Sequence, residues 1–552
     1  MKTKDAEKKK AALSRRFGEG VTLDLSKDGV LEAVAAPEKV EELLRTLKDD
    51  YDFHQLHDLT AVDYIKDNRI TVVYWLMNLE KPDMMVVKAP LDRGQPEVAT
   101  ATGVYPAANW LEREVYDYFG VRFTGHPNLT RMMMWEGFQG HPFRKDFDAY
   151  NQAPPENDPF DTTYLDLSQG SLQLTPVSTG EGNGNGTPST FILNFGPQHP
   201  SMHGVFRAVV ELDGETIVDL KPVLGYLHRG LEKIVENRTW AQVTPYTDRT
   251  DYLAAMNNNH VYVLAVEKLA GIEVPLRAEI IRVIMTEIGR IHSHLMAIGC
   301  MGMDCGALTP MFYAWRERET IYDLFEMVCG GRLLTTYFRI GGVARDLPDE
   351  FLPRLKKFLK EMPGHIEQYN NILSGNEIFQ MRLKKVAHLT KEMAIKYSIT
   401  GPILRSTGIN YDVRKNDPYS LYSRFDFKVP LGKNGDAWDF YWLRILEMWQ
   451  SLRIVEQALN YLEEVGPGPV QAKVSKVLKP PAGEAYVHIE SPKGDLGCYL
   501  VSDGGTNPYR FRWRPPLFIN LQSLPEVIRG WKIADFIAIF AGYDAVMGEV
   551  DR

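Results

Sequence analysis

Apolar residues follow a helical period over long stretches of the C-terminal two thirds of this chain. They recur at steps of three and four residues at Ile281, Ile284, Ile288, Ile291, Leu295 and Ile298. This spacing gathers the apolar side chains on one face and predicts a long buried helix. Helical patterns also cover 251–269, 310–329, 350–373 and 436–464, with Gly271 and Gly466 following the first and the last. So many long helices indicate a helix bundle.

Strand patterns are confined to shorter segments. In the N-terminal part, a predicted helix over 37–47 precedes two β-rich runs at 70–76 and 84–89. In the C-terminal part, alternating patterns at 207–212 and across 487–513 predict small sheets. The predicted fold class is α+β, with a small N-terminal α/β domain linked to a domain that has a central helix bundle and small peripheral sheets.

Residues 151–190 have the composition of a flexible linker. The segment is acidic, contains no Lys or Arg, and ends in a tract of Gly, Asn, Ser, Thr and Pro. It separates a domain at 1–150 from a larger one at 191–552. We expect two once-separate proteins that are joined in one chain and work in one assembly.

Length and charge narrow the class of protein. A chain of 552 residues is too long for one core, and a net charge of -9 argues against a nucleic-acid binder. The most apolar stretch, 533–547, is interrupted by Asp535 and Asp544 and is too short to cross a bilayer. Residues 1–16 are basic without a following apolar segment, so we expect a disordered cytoplasmic tail rather than a signal or an anchor.

The four cysteines form no CxxC pair and no regular pattern. Cys300 and Cys305 lie close in sequence, but two thiols are too few to hold a metal ion by themselves. We therefore expect no iron-sulfur cluster and no zinc on this chain.

The segment 195–204, FGPQHPSMHG, places His199 and His203 four residues apart in a turn rich in Gly and Pro. Proline restricts the backbone on both sides, and Gly196 and Gly204 permit close backbone approach. The loop could present His203 for chemistry, or it could be a structural turn whose histidines bond to the backbone.

Other charged and aromatic residues are open to two interpretations. Charged residues at 112–114 and 140–146 suggest either a catalytic cleft or an ionic docking surface, and the docking surface is favoured. The alternating charges at 316–319 indicate a solvated helix face. Tyr252 could fill the core or point into a cavity.

Motifs of self-contained enzymes do not occur in the sequence. It lacks GxGxxG, a Walker loop, GxSxG and HExxH, which argues against a hydrolase or an independent dehydrogenase. A histidine, a tyrosine and an aspartate are the groups needed to hydrogen-bond a ring with two oxygens and to protonate it during reduction.

The chain resembles a fused C/D subunit of the proton-pumping NADH:quinone oxidoreductase, respiratory complex I, over nearly its whole length. The N-terminal part matches the C-type subunit at 112–114, 117–120, 125–127 and 140–146. The C-terminal part matches the D-type subunit through FGPQHPSMHG (195–204), GYLHRGLEK (225–233), GALTP (306–310), RERET (316–320), RIGGV (339–343), GINYDVRK (408–415), SDGG (502–505), NLQSLP (520–525) and the terminal MGEVDR.

The D-type subunit is similar to the large subunit of nickel-iron hydrogenases, in which two CxxC pairs hold the metal. Here Val546 and Glu549 stand in place of the C-terminal pair, and the region around Asp251 and Ala254 has no cysteine. The resemblance thus implies a hydrogenase-like domain without nickel. Its emptied cavity is expected to receive a quinone beside the 4Fe-4S cluster of the neighbouring B-type subunit.

The resemblance also assigns roles to individual residues. His203 matches the histidine and Tyr252 the tyrosine that bond the quinone headgroup, and both are expected to donate protons. Asp304 matches the carboxylate that pairs with the histidine and orients it. Arg229 matches the arginine that lies against the terminal cluster of the B-type subunit. The expected catalytic set is His203, Tyr252 and Asp304, with no metal site.

The implied enzyme is active only as a complex. Electrons pass from NADH through FMN and iron-sulfur centres on other subunits to menaquinone or ubiquinone, and this transfer is coupled to proton translocation. Expected partners are the B-type and I-type subunits, the E/F/G electron-input module and the H-type membrane subunit, on the cytoplasmic face of the bacterial inner membrane. This chain itself would carry no flavin, cluster or nickel.

Three rival functions are weighed against this one. A non-catalytic scaffold would make His203, Tyr252 and Asp304 dispensable. A membrane-bound hydrogenase subunit would need the missing thiolate pairs. A sister complex that receives electrons from ferredoxin or a reduced deazaflavin would differ in its electron-input module, which lies on other chains.

One position departs from the family pattern. Many members have a histidine where this chain has Leu334, and that histidine is linked to the pH dependence of the cluster potential. We expect a neighbouring cluster with little redox-linked proton uptake and a lower potential, as would suit menaquinone.

Overall fold

The computed structural model describes residues 2–26, 28–135, 137–148, 175–176, 190–197 and 204–552. These residues form two compact units. The first takes residues from 2–148 and adds two segments from farther along the chain, Val223–Tyr226 and Glu392–Ile399. The second contains the other described residues. Most of the predicted linker, 151–190, lies outside the described residues.

The first unit is built on a five-stranded sheet with the strand order β1-β2-β5-β4-β3. Strands β2 and β5 run parallel, and the other neighbours are antiparallel. A separate parallel pair joins β6 and β7. The elements are α1 (Lys2–Phe17), β1 (Val21–Leu25), β2 (Leu31–Ala35), α2 (Val40–Tyr51), β3 (Gln55–Tyr64), β4 (Arg69–Asn78), β5 (Asp83–Asp92), β6 (Glu97–Ala99), α3 (Ala108–Phe119) and β7 (Arg122–Thr124).

Strand β4 is an interior strand of this sheet and lies between β5 and β3. Its sequence RITVVYWLMN is buried from its second residue to its last, so both faces of the strand are covered. Continuous β-branched and aromatic residues suit a strand covered on both faces, which explains why the run reads as uninterrupted rather than alternating.

The expectation of a disordered N-terminal tail is wrong for the described residues. They form helix α1, which packs against β1. Leu13 is fully buried and Phe17 nearly so, while Lys9 forms an ion pair with Asp83 at 2.5 Å. The helix has only a few apolar residues among its charges, and they are enough to dock it.

The second unit contains most of the helices. They are α4 (Leu231–Glu236), α5 (Trp240–Thr247), α6 (Ala255–Ala270), α7 (Leu276–Asp304), α8 (Thr309–Cys329), α9 (Phe351–Tyr369), α10 (Glu377–Leu383), α11 (Lys391–Lys396, of which only Lys391 belongs to this unit), α12 (Gly401–Ser406), α13 (Val413–Asn416), α14 (Ala437–Val465), α15 (Pro516–Leu521), α16 (Leu524–Ile528), α17 (Ile533–Tyr543) and α18 (Met547–Val550).

Two helices of 29 residues, α7 and α14, pack along each other and form its centre. Helix α7 is buried on nearly all sides, in line with its apolar period. Asp436 caps α14 by accepting a hydrogen bond from the Asp439 N–H at 2.9 Å. Gly271 ends α6 with a φ of +65°, the left-handed geometry that favours glycine.

Small sheets complete this unit. Their orders are β11-β10-β9-β8 and β14-β15-β16, with β12 and β13 as a separate pair. The combination of many helices with small sheets agrees with the predicted α+β class. Within the described residues, no helix is long and apolar enough to span a membrane. The strands are β8 (Thr175–Pro176), β9 (Phe191–Phe195), β10 (Arg207–Asp213), β11 (Thr216–Val223), β12 (Phe338–Arg339), β13 (Gly342–Val343), β14 (Gly483–Ser491), β15 (Gly494–Ser502) and β16 (Arg510–Arg514).

Candidate functional site

Tyr252 opens a single helical turn, 252–254, directly before α6. Asp251 caps this turn by accepting a hydrogen bond from the Leu253 N–H at 3.0 Å. The Asn258 amide donates to the Asp251 carbonyl at 3.0 Å, and His292 on α7 donates from Nδ1 to the Leu253 carbonyl at 3.1 Å. The backbone beside Tyr252 is therefore fixed by side chains from two helices.

The surroundings of Tyr252 keep its phenol protonated. Burial is the main cause, and the carboxylates of Asp251 and Asp544 add to it. Together with Cys300 they raise the pKa of Tyr252 to about 12, although Arg318 acts in the opposite direction. Tyr252 is thus a hydrogen-bond donor at neutral pH and is able to supply a proton.

Asp304 ends α7, and Cys300 lies one turn before it. Burial, followed by the charges of Asp544 and Asp304, raises the pKa of the Cys300 thiol. Because Cys300 also acts on Tyr252, the structure brings Tyr252 and Asp304 into electrostatic range of the same thiol. Burial raises the pKa of Cys305 to about 11, so both sulfurs are protonated at neutral pH.

His203, the third predicted member of the catalytic set, lies outside the described residues. The glycines that flank its loop are described. A Cβ at Gly196 would lie 2.1 Å from the Phe206 carbonyl oxygen, and one at Gly204 would lie 3.0 Å from the Met547 Cβ. The close approach expected of the backbone at both glycines is confirmed.

Arg229 is an exposed cation that is held by backbone carbonyls. Its Nη2 donates to the Arg249 carbonyl at 2.9 Å and to the Gly548 carbonyl at 3.2 Å. Burial of part of its guanidinium and the charge of Arg249 lower its pKa. Residue 249 lies three positions before Tyr252, so Arg229 belongs to the same region of the second unit.

Three buried ionisable side chains that were not expected in the catalytic set also lie beside this site. Lys493 forms an ion pair with Asp544, and both side chains are fully buried. Glu549 is also buried, and burial together with the charge of Asp251 raises its pKa well above the usual range. In the sequence, Asp544 is conspicuous only as an interruption of an apolar run.

The predicted solvated face at 316–319 is half wrong. Arg316 and Glu319 are exposed, but Glu317 and Arg318 are almost fully buried. Both lie on the buried stripe of α8, between Ala314 and Tyr322 at helical spacing. The apolar period of the helix in the sequence indicates that stripe, and it is the signal that would have predicted a buried Arg318.

The prediction of an ionic docking surface around residues 112–114 is also wrong as far as the carboxylates are concerned. Glu112, Glu114 and Asp117 are buried in the first unit. Asp117 accepts hydrogen bonds from three successive backbone N–H groups, at residues 132–134, and from Arg131 at 2.7 Å. Asp117 therefore holds a loop in place, and the three carboxylates do not form an exposed ionic surface on this unit.

Comparisons with known proteins match both parts of the chain. The family model of the respiratory-chain NADH dehydrogenase 30 Kd subunit matches residues 33–153, and that of the 49 Kd subunit matches 304–478 and 471–552.

Curated relatives give the same result. The D subunit of NADH-quinone oxidoreductase from Desulforamulus reducens is 58% identical over 65% of this chain and 98% of its own length. The C/D subunit from Methylococcus capsulatus is 41% identical over 100% of this chain and 99% of its own length, and that from Ectopseudomonas mendocina is 41% identical over 98% and 97%. Since the match to these fused relatives runs from one end of the chain to the other, the chain belongs to the family of fused C/D subunits of NADH-quinone oxidoreductase.

Proposed function

We propose that this chain is a peripheral-arm subunit of a proton-translocating NADH:quinone oxidoreductase and that its second unit forms the chamber in which the quinone is reduced. The observation that carries the proposal is the half-buried phenol of Tyr252, which is held protonated in electrostatic range of Cys300 and Arg318. A protonated, half-buried donor is what a quinone oxygen needs as it gains electrons.

The residues have distinct roles in this proposal. A 4Fe-4S cluster on the neighbouring B-type subunit would supply two electrons, and each quinone oxygen would take one proton. Tyr252 supplies one proton and His203 the other, while Asp304 orients His203 and favours its charged form. Arg229, on the surface of this region, would face the cluster and favour its reduced state. The substrate is a quinone, either menaquinone or ubiquinone, and it is not a resident cofactor.

The chain needs partners to do this. NADH oxidation would take place in the E/F/G module through FMN and iron-sulfur centres, and the I-type and H-type subunits would complete the arm and connect it to the membrane domain. The assembly would lie on the cytoplasmic face of the bacterial inner membrane. The family names of the relatives support this membership, since all are NADH-quinone oxidoreductase subunits.

Replacement of Tyr252 by Phe tests the proposal. The change removes one hydroxyl and keeps the ring, so the fold should survive while a proton donor is lost. We expect quinone reduction to fall by about 10²- to 10⁴-fold, the usual contribution of a positioned acid. Reduction of an artificial acceptor upstream of the quinone site, measured in the same membranes, should not change.

Tyr226 offers a matched control within this chain, because it is an exposed tyrosine. Tyr226→Phe makes the same chemical change on the surface and should leave both activities intact. If Tyr252→Phe retains quinone reduction, the scaffold function is favoured and the site assignment is wrong.

A further inference from the structure

Arg318 on α8 is a buried cation whose direct contacts are all neutral. Its Nε donates to His292 Nε2 at 3.2 Å, and Nη2 donates to the Tyr322 hydroxyl at 2.8 Å. Nη1 lies 3.1 Å from the Met296 sulfur. The guanidinium also stacks 4.4 Å from the centre of the Trp315 ring. These contacts fix the guanidinium in position but supply no negative charge.

Other buried arginines of the second unit differ from Arg318 in this respect. Each has a carboxylate oxygen within 3.9 Å: Arg282, Arg290, Arg405, Arg414, Arg444, Arg510, Arg512, Arg514 and Arg552. Among the residues that the structure describes, no carboxylate oxygen lies at ion-pair distance from Arg318. A buried charge without a counter-charge is strongly unfavourable, so its presence calls for an explanation.

The groups that face Arg318 are neutral in the resting site. His292 donates from Nδ1 and accepts at Nε2, which is the neutral tautomer, and burial with Arg318 lowers its pKa well below the usual range. Burial raises the pKa of Tyr252, Cys300 and Tyr322. An arginine keeps its proton even when buried. Arg318 therefore carries a positive charge in range of Tyr252 and Cys300 before any substrate is reduced, whereas the other charged groups that act on them, Lys493 and the carboxylates of Asp251, Asp304 and Asp544, do not contact it directly.

We propose that Arg318 is the counter-cation for the negative charge that quinone reduction creates at the Tyr252 end of the ring. The inference rests on the proposed function. When the ring takes up two electrons, the oxygen beside Tyr252 becomes negative. When Tyr252 then gives its proton to that oxygen, the charge moves to the phenolate. The quinone oxygen and the Tyr252 oxygen together carry one negative charge before and after the proton transfer. Arg318 stabilises that charge on either oxygen.

Arg318 acts here as a positioning residue through electrostatics, and its role can be separated from packing. Arg318→Gln removes the charge, whereas Arg318→Lys keeps the charge and loses the planar hydrogen bonds. Two ring probes complete the design: a hydroxynaphthoquinone that is ionised at neutral pH, and its uncharged methyl ether. Binding of each probe to the purified complex is measured by competition with quinone, alongside kcat, KM and reduction of an upstream artificial acceptor.

We expect the unaltered complex to bind the ionised probe more tightly than the ether. Arg318→Gln should weaken binding of the ionised probe by about tenfold or more. It should also lower kcat by about 10²-fold with little change in KM, because the lost interaction with the substrate forms only as charge develops on the ring. Arg318→Lys should keep the preference for the ionised probe. Equal weakening of both probes, or an unchanged kcat, would show that Arg318 is merely structural.

The controls separate this inference from the proposed function. Quinone reduction that survives Tyr252→Phe would overturn the function itself, whatever Arg318 does. If Arg318→Gln fails to assemble, the unaltered complex and Arg318→Lys still decide: tighter binding of the ether than of the ionised probe in both would overturn the counter-cation role.

Discussion

His488 lies between two carboxylates and carries a charge that most buried histidines lose. Its Nδ1 is 2.8 Å from Asp495 Oδ2 and its Nε2 is 3.3 Å from Asp417 Oδ2. Burial opposes the charge, but the two carboxylates outweigh burial and raise the pKa of His488 to about 9. The imidazolium and its two partners therefore link β14 with β15 and with the segment after α13.

This arrangement predicts a specific pH dependence of stability. The folded pKa lies above the unfolded value of about 6.5, so the contribution is complete below that value and is lost as pH rises through about 9. At most it amounts to about 3 kcal/mol. In urea unfolding of the full chain, His488→Gln should remove the fall in the free energy of unfolding between pH about 6.5 and about 9. The exposed His388, changed to Gln, serves as the control, and a slope unaffected by His488→Gln would contradict the prediction.

Leu334 gives a prediction about a neighbouring subunit. It is 36% exposed and cannot bind a proton, so the potential of the cluster proposed for the neighbouring B-type subunit should change little with pH. Leu334→His should introduce a dependence of up to about 59 mV per pH unit, the value for one proton per electron. Leu333→His, with 38% exposure, is the matched control. A steep pH dependence in the unaltered complex would show the prediction to be wrong.

Single residues were predictable from sequence only where a motif or a period marked them. Tyr252 and Asp304 were assigned through the resemblance, their roles stay predictions, and both lie in electrostatic range of the Cys300 thiol. Lys493 and Asp544 were missed because each finds its partner 51 positions away, a relation that no local pattern records. Arg318 was misplaced because alternating charges were given more weight than the apolar stripe around them.

At the scale of elements, helices were the most predictable part of the chain. Helix α14 was expected at 436–464 and lies at Ala437–Val465, since a strong period and a capping aspartate both mark its start. Helix α1 was missed because its apolar stripe is thin: Ala6, Leu13 and Phe17 are its buried apolar residues among the described side chains. Tertiary contact with β1, and not helix periodicity alone, makes it a stable element.

Helix α1 can be tested through its central buried residue. Leu13→Ala should destabilise the docked helix by about 2–5 kcal/mol, the usual cost of emptying a buried leucine site. The neighbouring exposed Ser14, changed to Ala, should alter stability by no more than about 0.5 kcal/mol. Tryptic cleavage after Arg15 and Arg16 reports the docking, and should accelerate only in Leu13→Ala. Equally rapid cleavage in the unaltered chain would indicate that the helix does not dock.

At the scale of the whole molecule, the sequence indicated two parts but not the composition of each part. Two segments of the predicted C-terminal domain belong to the first unit. Within that unit, the Ala107 N–H donates to the Lys396 carbonyl at 3.2 Å. Gly225 approaches the Met133 carbonyl so closely that a Cβ would lie 2.6 Å from its oxygen. Such pairings join residues far apart in sequence, and neither composition nor periodicity reveals them.

The two added segments set a limit on when the first unit is finished during synthesis. Its main stretch is made early, but Glu392–Ile399 leaves the ribosome only about 250 residues later. At roughly 5–20 residues per second, that interval is about 12–50 s. Throughout it, the acceptor carbonyl for Ala107 does not yet exist. The first unit is therefore completed after translation of most of the second, although it comes first in the chain.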